Sequence, residues 1–139
     1  MTGTCICGAV SVTIETAPDF IHDCNCSLCR KSGGAWGYFS SAQFHQEGET
    51  VSVTRSDKEL ASAEIHSCPI CCATTHFTMS EEFTEKHGPT DMVGVNMRLF
   101  DLEALDGVEV RFPDGNGWSG EGEFEYRREA ETIGKDFAW

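Results

Sequence analysis

Basic residues are scarce in this chain: 10 Lys and Arg stand against 23 Asp and Glu, a formal net charge of −13. Nucleic acid is excluded as a partner on that count, because binding a phosphate backbone rests on a basic footprint that releases counterions. No apolar run approaches the ~18 residues of a bilayer span, so no membrane association is expected. The opening MTGTCICGAV has neither the basic start nor the apolar stretch of a signal peptide, which makes the cytoplasm the expected compartment. Internal repeats, low-complexity tracts and linkers are missing too, and residues 1–139 are read as one domain. Acidic excess of this kind serves solubility. An anionic substrate would need a local cationic patch, for which Arg30, Lys31, Arg55 and Arg98 are the candidates.

Cysteine is abundant instead. Eight are present, grouped as Cys5 and Cys7; Cys24, Cys26 and Cys29; Cys68, Cys71 and Cys72. A reducing compartment argues against disulfides, and gaps of one or two residues are metal-ligand spacing. Around these groups the chain alternates in short strands. GAVSVTIE places Val10, Val12 and Ile14 on one face, and GAWGYFSSAQF, TVSVTR, SAEIHSC, ATTHFTM and MVGVNMRL read as further strands. FDLEALDG suits a short helical turn ending at Gly107, and the glycine-rich FPDGNGWSGEG is loop. The tail EFEYRREAETIGKDFAW is open between strand and helix. A mainly β architecture follows, with cysteines at strand ends and turns.

On extended backbone, Cys5 and Cys7 point to the same face, and CPIC presents Cys68 and Cys71 from a tight turn. Together they supply a complete tetrahedral thiolate shell, a structural zinc site tying the N-terminal strand to the middle of the chain. Cys72 is surplus and reads as a small buried apolar residue. A turn through CNCSLC brings Cys24, Cys26 and Cys29 onto one ion, and three ligands with a fourth place open is how catalytic zinc is held. The competing reading closes that site with a histidine, drawn from His22, His45, His66 or His76. RKSGGAWG, which follows, reads equally as pocket lining or as turn glycines and a core indole.

The ordered motifs GTCxCGAV, CxCSxCRKSGG and CPxC, from Gly3 to Cys71, resemble those of the glutathione-dependent formaldehyde-activating enzymes, which share a domain with the centromere-protein-V-like proteins. The resemblance implies a mainly antiparallel β fold of the Mss4-like, or β-tent, type. It implies a structural zinc on Cys5, Cys7, Cys68 and Cys71 and a catalytic zinc on Cys24, Cys26 and Cys29, two per chain. The implied activity is that of a carbon–sulfur lyase or synthase, joining glutathione to formaldehyde or reversing that addition. Two positions depart from the family pattern: Asn25 stands where histidine is usual, and Cys72 where glycine is usual.

The expected function is therefore zinc-dependent addition of a small thiol to a small aldehyde, those two molecules being the expected partners. Three thiolates leave the metal a mild Lewis acid, better suited to a soft thiolate than to strong water activation. Arg30 and Lys31 either steer an anionic thiol or are exposed solubility residues, and Asn25 either touches substrate or caps its turn. A non-enzymatic zinc-binding interaction module and a thiol redox or metal-buffering role are the alternatives.

Overall fold

The structure, a computed structural model, describes residues 1–59, 61–120 and 122–139. Among these the alternating stretches become strands: β1 (Thr2–Thr4), β2 (Ser11–Ile14), β3 (Phe20–His22), β4 (Trp36–Phe39), β5 (Phe44–Glu47) and β6 (Val51–Thr54). They continue as β7 (Ala63–Ser67), β8 (Thr74–Met79), β9 (Val93–Asn96), β10 (Glu109–Arg111) and β11 (Glu131–Thr132). A small sheet runs β1-β2-β5, and a large one runs β11-β10-β3-β4-β9-β8-β7-β6. All named pairings are antiparallel except β3 with β10, which align in parallel from Phe20↔Glu109 to His22↔Arg111. The fold is mainly β, as expected, with mixed rather than purely antiparallel pairing.

The period of two explains the packing. Val12 and Ile14 turn inward from β2 and are fully buried, while Thr13 faces out. They join Ile21 from β3, Val95 from β9 and Val110 from β10 in one apolar cluster. Gly94 is part of the same economy of space: a Cβ there would collide with the Phe77 ring, which lies edge-on to Trp36. Glycine at 94 thus lets β8 and β9 approach with that ring between them.

Two short helices were not expected. The first, α1 (Ser27–Ser32), runs through the cysteine motif itself; Cys26 caps it, its thiol accepting the Cys29 N–H at 3.4 Å, and Gly33 closes it in the left-handed region at φ 69°. The second, α2 (Glu81–His87), is capped by Ser80 and opens with Glu81 and Glu82, acids placed at the positive end of its dipole. The turn expected in FDLEALDG is a 3-10 helix over Leu102–Leu105. The tail holds no helix among its described residues. Tyr126 bridges to Pro113, and β11 pairs with β10. Glu121 of the expected glycine-rich loop lies outside the described residues.

The tail is anchored beside the cysteine motif. Asp23 takes a 2.9 Å ion pair from Arg98 and a 3.1 Å hydrogen bond from the Trp139 indole, and its carbonyl accepts from Arg127 at 2.5 Å. One acidic residue next to Cys24 therefore gathers three separate stretches of chain.

On the other side of the large sheet, His66 and His76 stack with ring centroids 4.2 Å apart, and Phe44 covers His76 at 4.9 Å. Burial, reinforced by His66 opposite, pushes His76 down to about 4. The unfolded chain takes up that proton near pH 6.5, whereas the fold keeps the ring neutral. The stabilisation is therefore complete above about pH 6.5 and is lost as pH falls toward 4. An NMR titration is expected to find the His76 ring unprotonated at about pH 5.5, and His76→Phe is expected to flatten the acid side of the stability profile.

Candidate metal centres and the cavity beside them

The eight thiols sort into two clusters and one remainder. Cys5, Cys7, Cys68 and Cys71 bring their sulfurs within 4.8 Å of one another. Cys7 lies 3.6 Å from both Cys5 and Cys68. Zinc–thiolate bonds of ~2.3 Å in a tetrahedron put sulfurs about 3.8 Å apart, so this donor set fits the ion. The two halves come from the loop after β1 and the turn between β7 and β8, and Cys5 and Cys68 are buried. The backbone N–H of Ala73, followed by that of Cys7, draws the Cys71 thiol down to about 6, so it is readily deprotonated for a metal.

Cys72 corrects an expectation. It is exposed rather than buried, and it sits at φ 61°, the left-handed region. The left-handed residue turns the chain back after the Cys72 N–H has bonded the Cys68 carbonyl at 2.9 Å, so that the Ala73 carbonyl accepts from the Cys68 N–H at 2.9 Å. Glycine would adopt it without a Cβ clash, which is the physical reason for the usual residue at this place.

Cys24, Cys26 and Cys29 form the second cluster, also within 4.8 Å; among the described residues no histidine, carboxylate or further cysteine joins them at that range. Donors converge on the sulfurs: the Cys26 N–H on Cys24 at 3.4 Å, the Cys29 N–H on Cys26 at 3.4 Å, and the Trp36 indole N–H on Cys29 at 3.2 Å. Crowding divides the thiols. Hydrogen bonding with Cys24 and then Cys29 holds Cys26 far below the usual thiol range, while Cys29 is raised by Cys24 and then Cys26. Three sulfurs so placed, with partial negative charge already favoured on one, could hold a thiophilic ion, and the set fits zinc by number and spacing.

Of the four candidate histidines, His45 lies exposed on β5 near Glu47, and His66 and His76 are stacked together on β7 and β8. His22 comes nearest in sequence, but its Nδ1 is engaged with the Tyr38 hydroxyl at 3.0 Å. Its Nε2 is buried and has no partner among the described residues. Phe20, Tyr38, Phe124 and Tyr126 surround the ring, and burial, aided by the positive charge of Arg111, pushes it down to about 4.

The trio opens onto a cavity of about 510 Å³. Trp36, Phe77, Leu28 and Ile65 form one wall, and His22 with Tyr38 another. Pro113, Gly115, Trp118 and Phe124, from the stretch after β10, line it too. Arg55, Lys58 and Glu59 stand at the cavity as well. Arg30 and Lys31 do not line it; both project, exposed, from α1. Arg98 pairs with Asp23. Of the four cations expected to form a patch, Arg55 alone reaches this cavity.

Asn25 neither caps its own turn nor faces an open site. Its side-chain amide donates to Asp114 at 2.7 Å and accepts from the Asn116 N–H at 2.9 Å, pinning those two residues beside the trio. Gly115 makes that approach feasible, for a Cβ there would lie 2.5 Å from the Cys24 sulfur. Sequence reasoning missed His22 as a partner of Tyr38, and missed Asp114, Trp118 and Phe124 altogether. The one available signal was the polar, aromatic-bearing PDGNGW run, whose neighbours no local pattern reveals.

The profile of the glutathione-dependent formaldehyde-activating enzyme family matches residues 1–105, and the chain belongs to that family. Both cysteine clusters fall within the matched stretch, and Pro113, Gly115, Trp118 and Phe124 lie beyond it. Among solved structures, the crystal structure of a Rhodobacter sphaeroides protein aligns with a TM-score of 0.56 at 24% identity, covering 73% of this chain and 88% of that one. At that identity the likeness speaks to the fold. No match was found among curated proteins.

Two substitutions check this geometry. Cys72→Gly is expected to raise stability by about 1 kcal/mol, read from denaturant midpoints, because strain is relieved at an exposed position. Asn25→Ala is expected to speed hydrogen exchange at the Asn116 amide by roughly 2- to 10-fold, the loss of one hydrogen bond.

Proposed function

We propose that this chain catalyses the reversible addition of a small thiol to a small aldehyde such as formaldehyde, a carbon–sulfur bond-forming reaction of the lyase class. The observation that carries the reading is a three-thiol cluster at a cavity, with no fourth protein donor within reach among the described residues. Cys5, Cys7, Cys68 and Cys71 would hold a structural zinc, and Cys24, Cys26 and Cys29 a catalytic one. Zinc bound by three thiolates supplies a place for a substrate thiol and favours loss of its proton.

The chain's own groups account for the remainder. The overall change is RSH + H₂C=O → RS–CH₂–OH: a carbon–sulfur bond forms, the carbonyl π bond opens, and the proton lost from sulfur is balanced by one gained at oxygen. The carbonyl oxygen therefore needs a hydrogen-bond donor, and the Tyr38 hydroxyl is the candidate. When His22 donates from Nδ1 to the phenol oxygen, the phenol hydrogen is left for the substrate, the His22 Nε2 being buried. Tyr38 stays protonated throughout, because burial, followed by the nearby Cys29 thiol, raises it well above the ordinary phenol range. The Trp36 indole steadies the Cys29 sulfur, and the aromatic walls limit water at a carbon that water would otherwise hydrate.

Zinc-loaded protein is expected to accelerate exchange between free and aldehyde-bound thiol, followed by NMR, and to contain two zincs per chain. Cys29→Ser should lower zinc content toward one and abolish the acceleration, whereas Cys68→Ser should compromise folding as well. Tyr38→Phe should slow the reaction, on the order of a hundredfold, with zinc content unchanged. Rates equal to those in buffer across several thiols would overturn the reading.

A further inference from the structure

The cavity's charges and surfaces speak to which thiol it takes. Glutathione carries two carboxylates, and a site built for it needs two cationic or equivalent anchors. Arg55 is already engaged: its guanidinium grips Asp57 through two bonds of 2.7 and 2.9 Å and donates to Ser27 at 2.8 Å. Lys58 remains, with Glu59 beside it at the same cavity. Arg98 and Arg127 both close on Asp23. Among the described residues lining the cavity, one ammonium is therefore left for two carboxylates, within a protein of net charge −13.

The walls are of the opposite character. Trp36 and Phe77 meet edge-on at 5.0 Å, Trp118 and Phe124 lie 4.7 Å apart, and all four line the cavity. The second pair follows Asp114 and Asn116 in the chain, the two residues that Asn25 holds beside the trio. Two aromatic pairs in the lining of a cavity of about 510 Å³ favour a flat apolar body as its occupant.

From this juxtaposition we infer that the thiol handled at this site carries an aromatic or similarly flat apolar body and at most one carboxylate, selected by the aromatic wall that Asn25 pins in place, in preference to glutathione. The inference rests on the thiol-addition reading for its chemistry, but its content is ligand selection. Trp118 and Phe124 are the specificity-determining residues, and Asn25 is the positioning residue that sets them.

Calorimetry on the zinc-loaded full chain with phenylmethanethiol, 2-mercaptoethanol and glutathione tests it, alongside thiol–formaldehyde exchange by NMR. Phenylmethanethiol is expected to bind about tenfold tighter than 2-mercaptoethanol, with glutathione no tighter than the latter. Trp118→Ala should erase most of that preference while leaving zinc content unchanged, and Asn25→Ala should reduce it with the tryptophan retained. Glutathione binding tightest, or a preference untouched by Trp118→Ala, overturns the inference. Selective binding without accelerated exchange supports the ligand class and overturns the catalytic reading instead, and acceleration confined to glutathione does the reverse.

Discussion

Sulfur crowding governs this molecule. Thiols held within 4.8 Å of one another cannot all ionise unless a cation absorbs the charge, and each cluster is built at that distance. The crowding is imposed by backbone: a strand end and a distant turn for Cys5, Cys7, Cys68 and Cys71, and a capped helix start for Cys24, Cys26 and Cys29. Without a cation, the protons distribute unevenly, Cys26 giving up its own most easily and Cys29 retaining it. Both sheets lead into these points, so the arrangement of strands and the arrangement of sulfurs are one problem with one solution.

The two clusters divide the work differently. The four-thiol set joins positions 61 residues apart and leaves no place for a further ligand in a tetrahedral shell. The three-thiol set is local, six residues long, and draws its surroundings from elsewhere: β3 and β4 bring His22 and Tyr38, and the stretch after β10 brings Trp118 and Phe124. The family match ends at residue 105. The sulfur framework and most of the described cavity lining thus belong to the shared portion of the chain, whereas Pro113, Gly115, Trp118 and Phe124 come from the part that lies beyond it.

Much of this was legible beforehand. The cysteine grouping, read by spacing alone, recovers both clusters, and period-two alternation recovers most strands. What escaped had physical reasons. The helix α1 has six residues, too few for a periodic signal, and its cap is a thiol rather than the usual hydroxyl or carboxylate. Strand β3 is three residues long. Asn25 was open between capping its turn and touching substrate because its partners lie 89 and 91 positions away, beyond any local pattern. Cys72 was read as buried from its residue type, whereas the turn's need for a left-handed residue put it at the surface.

The tail's attachment has a consequence in time. A ribosome delivers the chain from its N-terminus at ~5–20 residues per second. The four-thiol cluster is complete as soon as Cys71 has emerged, and the three sulfurs of the other cluster are available earlier still. Trp118 and Phe124 of the cavity lining arrive later, and the bonds to Asp23 wait for Arg127 and then Trp139. The sulfurs can therefore be filled while the chamber is still open to solvent, and the chamber is enclosed around them afterwards. The order of translation permits loading before enclosure.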